Sequence, residues 1–125
     1  MIRMKGRYRK GCGHFAGRFE NPEPWRRATG EELRYGTINV EVDAPPKFRE
    51  DCRVREHEIP KTHGWTGDYL MELCKIEGIR GYRILGGHGS DVLEIACAAR
   101  IKKNGEPLKE GDELELEFFE QRPND

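Results

Sequence analysis

Polar and apolar residues alternate over much of this chain, most clearly in "DELELEFFE" near its end. There Leu114, Leu116 and Phe118 fall on one face and Glu113, Glu115 and Glu117 on the other. A period of two puts successive side chains on opposite faces of an extended backbone, so this run predicts a half-buried strand. "TINVEV" repeats the pattern with Ile38, Val40 and Val42 against Thr37, Asn39 and Glu41. "DVLEIAC" does so with Leu93, Ile95 and Cys97 against Val92, Glu94 and Ala96. Further strands are predicted in "IRMKGRYRK", "DYLMELCKI", "IRGYRIL" and, on a weaker pattern, "CRVREHEI". Five to seven short strands in a small chain predict a mainly β fold, either a barrel or a sandwich.

Helical signals are few. "EPWRRATGEEL" carries Pro24 where a first helical turn tolerates it, with Trp25, Ala28 and Leu33 available to face inward and Gly30 interrupting. A second helical turn is predicted near "AARIKKNG", stopped by Asn104 and Gly105. Proline pairs and glycine clusters mark "DAPPKFRE" and "PKTHGWTGD" as loops.

Composition narrows the function classes. The 125 residues suit one domain, residues 1–125, with a single substantial core. A formal net charge of −1, with 36% charged residues, supplies no excess positive field for nucleic acid or an anionic membrane, so any bound anion must be held locally. Cys12, Cys52, Cys74 and Cys97 are far apart and form no C-x-x-C pair, which fits free thiols in a reducing compartment. "MIRMKGRYRK" lacks the apolar core of a signal peptide, and no apolar run is long enough to cross a bilayer, so a cytoplasmic protein is expected.

Three stretches carry candidate chemistry. In "RYGTINVEV", Thr37 and Asn39 are two residues apart on a strand and project the same way. A hydroxyl and an amide oxygen are hard donors suited to magnesium, which commonly takes few protein oxygens and fills its sphere with water and substrate phosphates. The same pair also fits a solvent-facing strand start after the turn at Tyr35 and Gly36. In "KGCGHFAGRF", Gly11, Gly13 and Gly17 permit close approach of backbone N–H groups to a phosphate, with Lys10 and Arg18 flanking. Its G-x-G-x-x-x-G spacing is neither the dinucleotide fingerprint nor a P-loop, and a barrel turn explains it equally. In "GGHGSDVLEI", His88 and Asp91 could form an acid–base pair and Glu94 could receive hydrogen bonds from a ligand inside the barrel, whereas a hairpin loop with a solvent-facing Glu is the plainer account. No G-x-S-x-G elbow supports a hydrolase, and the scattered Cys and His residues lack zinc spacing. Arg3, Lys5, Arg7 and Arg9 alternate along the first strand, where a solvated face is a commoner explanation than phosphate contact.

Taken in order, "GCGHFAGRF", "YGTINV", "HGSDVLEI" and "LKEGDELEL" resemble the archaeal CTP-dependent riboflavin kinase family, over about residues 5–118. The resemblance implies a small closed six-stranded cradle-loop barrel with one or two short helices. It implies a kinase that moves the γ-phosphoryl of CTP to the riboflavin 5′-hydroxyl, giving FMN and CDP, with magnesium on Thr37 and Asn39. Lys10, Gly11, Cys12, Gly13, His14 and Gly17 would cradle CTP, and Ala99, Arg100, Ile101 and Lys102 would contact it from the other side. Glu94 falls on the flavin-contacting glutamate and is, with His88 and Arg18, a candidate catalytic group; Lys10 and Arg18 are the candidate cations. Where the family has a flavin-contacting threonine this chain has Gly86, and residues 74–86 are compact. The alternative is a non-catalytic barrel of the same kind that binds a nucleotide, a flavin or nucleic acid.

Overall fold

The computed structural model describes residues 1–11, 19, 21–33, 36–59, 67–85 and 91–119. In chain order they form β1 (Ile2–Arg9), α1 (Glu23–Thr29), β2 (Thr37–Glu41) and β3 (Cys52–Val54). A 3-10 turn (Glu56–Glu58) follows, then β4 (Tyr69–Ile76), β5 (Ile79–Ile84) and β6 (Val92–Cys97). The last elements are β7 (Lys102–Lys103), β8 (Glu106–Pro107) and β9 (Glu113–Phe118). Neighbours run β4-β5-β6-β2-β1-β9, and β9 returns to β4 through Cys74 with Phe118 and Ile76 with Leu116. The result is a mainly β fold with a closed six-stranded antiparallel barrel and, among the described residues, a single short α-helix. β3 pairs with the first half of β4, on the edge that β9 takes further along. No helix among the described residues is long and apolar enough to cross a membrane.

Alternation becomes two cores. Val40, Val42, Cys74, Ile76, Leu93, Ile95, Cys97, Leu114, Leu116 and Phe118 fill the barrel. The opposite faces of β4, β5 and β6 carry Tyr69, Met71, Ile84, Tyr82 and Ala96, and these are covered by Phe19, Trp25, Leu33, Val54 and Ile59. The Trp25 ring lies 4.5 Å from Phe19 and 5.5 Å from Tyr69. These three strands are thus buried on both faces, whereas β9 exposes Glu113 and Glu115 as its alternation predicts.

The helix ends where its glycine stands. Gly30 takes φ 80°, a left-handed conformation open to glycine without strain, and its N–H closes on the Arg26 carbonyl at 2.7 Å. The helical turn expected near "AARIKKNG" is a hairpin instead, with β7 and β8 joined by Asn104 and Gly105 at φ 52° and 77°. Asn-Gly is the pair that a two-residue hairpin with two positive φ angles requires, and it overrides the weak helical pattern. "CRVREHEI" likewise remains a strand only to Val54 before the 3-10 turn.

One barrel end is plugged by charge. Glu72 and Arg83 face inward across β4 and β5, 3.2 Å apart, and Arg83 also donates to the Pro46 carbonyl at 2.8 Å. Its guanidinium sits 5.6 Å from the Phe48 ring and 5.7 Å from that of Phe118, which draws residues 43–50 over this end. Burial raises the Glu72 carboxyl above its ordinary 4.5, with Arg83 pulling the other way.

Two outcomes follow from this packing. Gly6 lies on the inner face of β1, where an added Cβ would meet Val40 Cγ1 at 2.5 Å and the Glu41 carbonyl at 2.9 Å. Gly6→Ala should lower unfolding stability by about 1–3 kcal/mol in urea denaturation, because rigid backbone must shift. A carboxyl with a raised folded pKa supports the fold below its unfolded value and withdraws that support as pH rises through the folded value. Measured against Glu72→Gln, the wild type should therefore lose relative stability as pH rises from about 4.5 upward, and parallel urea midpoints across pH would reveal it.

Candidate functional site

β2 carries the centre of the site on the barrel's outer wall. Gly36 turns the chain into it at φ 77°, a conformation that a side chain would strain. Antiparallel register then sets Thr37 opposite Ala96, and Asn39 opposite Glu94 on β6 and Arg9 on β1. Directly opposed residues hold their Cβ atoms about 5 Å apart, so Thr37, Asn39 and Glu94 form one patch. Asn39 is 8% exposed and Glu94 4%, although both are polar.

The Asn39 Oδ1 is buried with no hydrogen-bond donor. A buried acceptor left this way costs about 1–3 kcal/mol, and a cation answers it as well as a donor does. Hydroxyl, amide and carboxylate oxygens together suit a hard cation such as magnesium, so the chemistry of these residues fits the metal that the family resemblance implies. No three Asp, Glu, His or Cys side chains converge among the described residues.

Arg9 borders the patch and is held by acids. It donates to Glu41 at 3.0 and 3.4 Å and to Glu110 at 3.2 Å. Hydrogen bonding and attraction from Arg9 hold the Glu41 carboxyl below its ordinary value, and Glu41 in turn raises Arg9. Glu110 also accepts the Lys10 backbone N–H at 2.6 Å, fixing the chain as it leaves β1 toward Gly11. The rest of the basic stripe is laced in the same way. Arg3 pairs with Glu117 at 3.8 Å, Lys5 with Glu113 at 3.3 Å, and Arg7 with Glu41 and Asp43 at 3.6 and 3.7 Å.

A cleft of about 450 Å³ opens at the barrel mouth beside this patch. Thr37 lines it together with Ala99, Arg100, Ile101 and Lys102, so the cleft joins two groups that the sequence named separately. Tyr8, Cys97, Pro107 and Leu108 also line it. Sequence reading passed over Tyr8 and Leu108; the signal for Tyr8 was available in its alternation with Met4 and Gly6, which places it inward at the end of β1. Cys52, Cys74 and Cys97 are free, and burial pushes the Cys97 thiol up to about 12, which removes it as a thiolate nucleophile near neutral pH.

Cys12, Gly13, His14, Gly17, Arg18, Gly86 and His88 lie outside the described residues. Asp91, the expected partner of His88, is exposed just before β6, where its carbonyl accepts the Val42 N–H at 2.8 Å. Comparison with known proteins finds no family model that matches the chain, and no curated protein that does.

The orphaned oxygen gives a direct test. Asn39→Leu removes an unsatisfied buried acceptor at similar volume and should melt at or above the wild-type temperature in the absence of divalent cation. Calorimetry with added magnesium should raise wild-type melting and leave the variant unmoved.

Proposed function

We propose that this chain is a CTP-dependent riboflavin kinase that transfers the γ-phosphoryl of CTP to the riboflavin 5′-hydroxyl and releases FMN and CDP. The observation that carries this reading is the position of Thr37. It lines the cleft formed with Ala99, Arg100, Ile101 and Lys102, and it stands two residues from the donorless oxygen of Asn39.

Thr37 and Asn39 would hold magnesium, which when bound supplies charge neutralisation to the phosphates. The residues at 99–102 border the nucleotide, Lys102 adding a cation at the exposed rim. Lys10 and Gly11 begin the glycine-rich stretch beside the same strand ends and are exposed. Glu94, in register with Asn39, would accept a hydrogen bond from the acceptor alcohol and orient its oxygen toward the phosphoryl group. In phosphoryl transfer, positioning and charge supply most of the catalysis, so this small set of groups suffices. As the acceptor oxygen bonds to the γ-phosphorus, the bond from that phosphorus to the bridging oxygen breaks, CDP leaves with that oxygen, and the hydroxyl proton passes to solvent.

A nucleic-acid-binding barrel has less support, because each of Arg3, Lys5, Arg7 and Arg9 has a carboxylate partner. Phosphorus NMR of the protein with riboflavin, magnesium and either CTP or ATP tests the kinase. FMN and CDP should appear with CTP, and Thr37→Ala or Asn39→Ala should slow turnover by about 100-fold or more. CTP that binds and is never consumed would show a binding barrel instead.

A further inference from the structure

We propose that Tyr8 is the platform on which the nucleotide base stacks, making this residue a determinant of nucleotide affinity. The proposal rests on the kinase reading in that the occupant of the mouth cleft is a nucleotide. Among the described residues that line the cleft, Tyr8 is the aromatic one. It is half-buried, with its inner side against the barrel core. Filling the core does not require a phenol here, since the neighbouring inward positions on β1 are Met4 and Gly6.

The backbone beneath the ring is pinned from both sides. Tyr8 pairs with Val40 on β2, its N–H donates to the Asp112 carbonyl at 2.8 Å, and its carbonyl accepts the Gly111 N–H at 2.8 Å. A ring set on a fixed strand loses little freedom when a flat ligand stacks on it. Leu108 and Ile38 add apolar wall, while Lys102 at the exposed rim suits the charged end of the ligand. A cleft of about 450 Å³ falls within the size range of small-molecule sites. An apolar floor, one aromatic face and a cationic rim, next to the oxygen patch of Thr37 and Asn39, is the arrangement that a base at one end and phosphates at the other would need.

Titration calorimetry with magnesium, using CTP and inorganic tripolyphosphate as probes, separates base from phosphate contributions. Wild type should bind CTP more tightly than tripolyphosphate. Tyr8→Leu should weaken CTP by about ten- to hundredfold and leave tripolyphosphate unchanged, and Tyr8→Phe should retain CTP affinity. Equal CTP affinity in wild type and Tyr8→Leu, or equal loss of both probes, would overturn the platform. CTP binding no tighter than tripolyphosphate in wild type would overturn it too, while leaving a phosphate site in place. Wild type binding neither probe would overturn the kinase reading and the platform with it. Should Tyr8→Leu not fold, contacts between the Tyr8 ring protons and the cytosine H5 and H6 protons in the wild-type complex decide the matter. Their presence supports stacking, and their absence with CTP bound refutes it.

Discussion

The return of β9 onto β4 is the constraint on which the rest of the molecule depends. Three residue pairs, Cys74 with Phe118, Lys75 with Glu117 and Ile76 with Leu116, close the sheet. That edge of β4 is used twice, since Tyr69 and Met71 pair with Val54 and Cys52 of β3. β3 is therefore laid outside the barrel, where Val54 joins Trp25 and Leu33 in a second layer. Closure removes free sheet edges and ties strand stagger to strand number. The stagger brings the end of β1 beside the start of β2, so Tyr8 and Thr37 meet at the mouth.

The two ends of the barrel then differ in chemistry. At one, Arg83 is satisfied internally by Glu72 and Pro46 and lies over the rings of Phe48 and Phe118. At the other, the loop after β6 and the β7–β8 hairpin stand back and leave a cleft with Lys102 at its rim. A buried ion pair is a weak source of stability, since desolvation offsets most of its attraction. Its structural effect is specific all the same: by holding the Pro46 carbonyl, Arg83 fixes the segment that covers its end.

Strand positions and the mainly β class were legible because period two survives wherever one face meets solvent, as Leu114, Leu116 and Phe118 show against Glu113 and Glu115; periodicity left barrel and sandwich open, and the closed barrel was implied by the family resemblance alone. The second core was not legible. Glu94 and Ala96 read as an outward face, which they are, yet Ala96 lies beneath the α1 layer and Glu94 is buried. Periodicity reports that two faces differ and says nothing of what covers the outer one. The hairpin at Asn104 was misread because lysine-rich polar runs have no strand signature, while its Asn-Gly turn was plain. Of the candidate site, same-face projection of Thr37 and Asn39 follows from spacing alone. Their meeting with Glu94 needed the β2–β6 register, and the meeting of Thr37 with residues 99–102 needed the closed barrel.

The interior of so small a barrel is filled by its own side chains, Val40, Leu93, Ile95, Leu116 and Phe118 among them. The mouth and the outer wall are accordingly the two surfaces where polar groups can sit without breaking the core. Thr37 belongs to both, lining the mouth while its strand carries Asn39 along the wall. Asn39 puts a buried oxygen without a donor on that wall, and Arg9, its neighbour in register, is hydrogen-bonded to Glu41 and Glu110 instead.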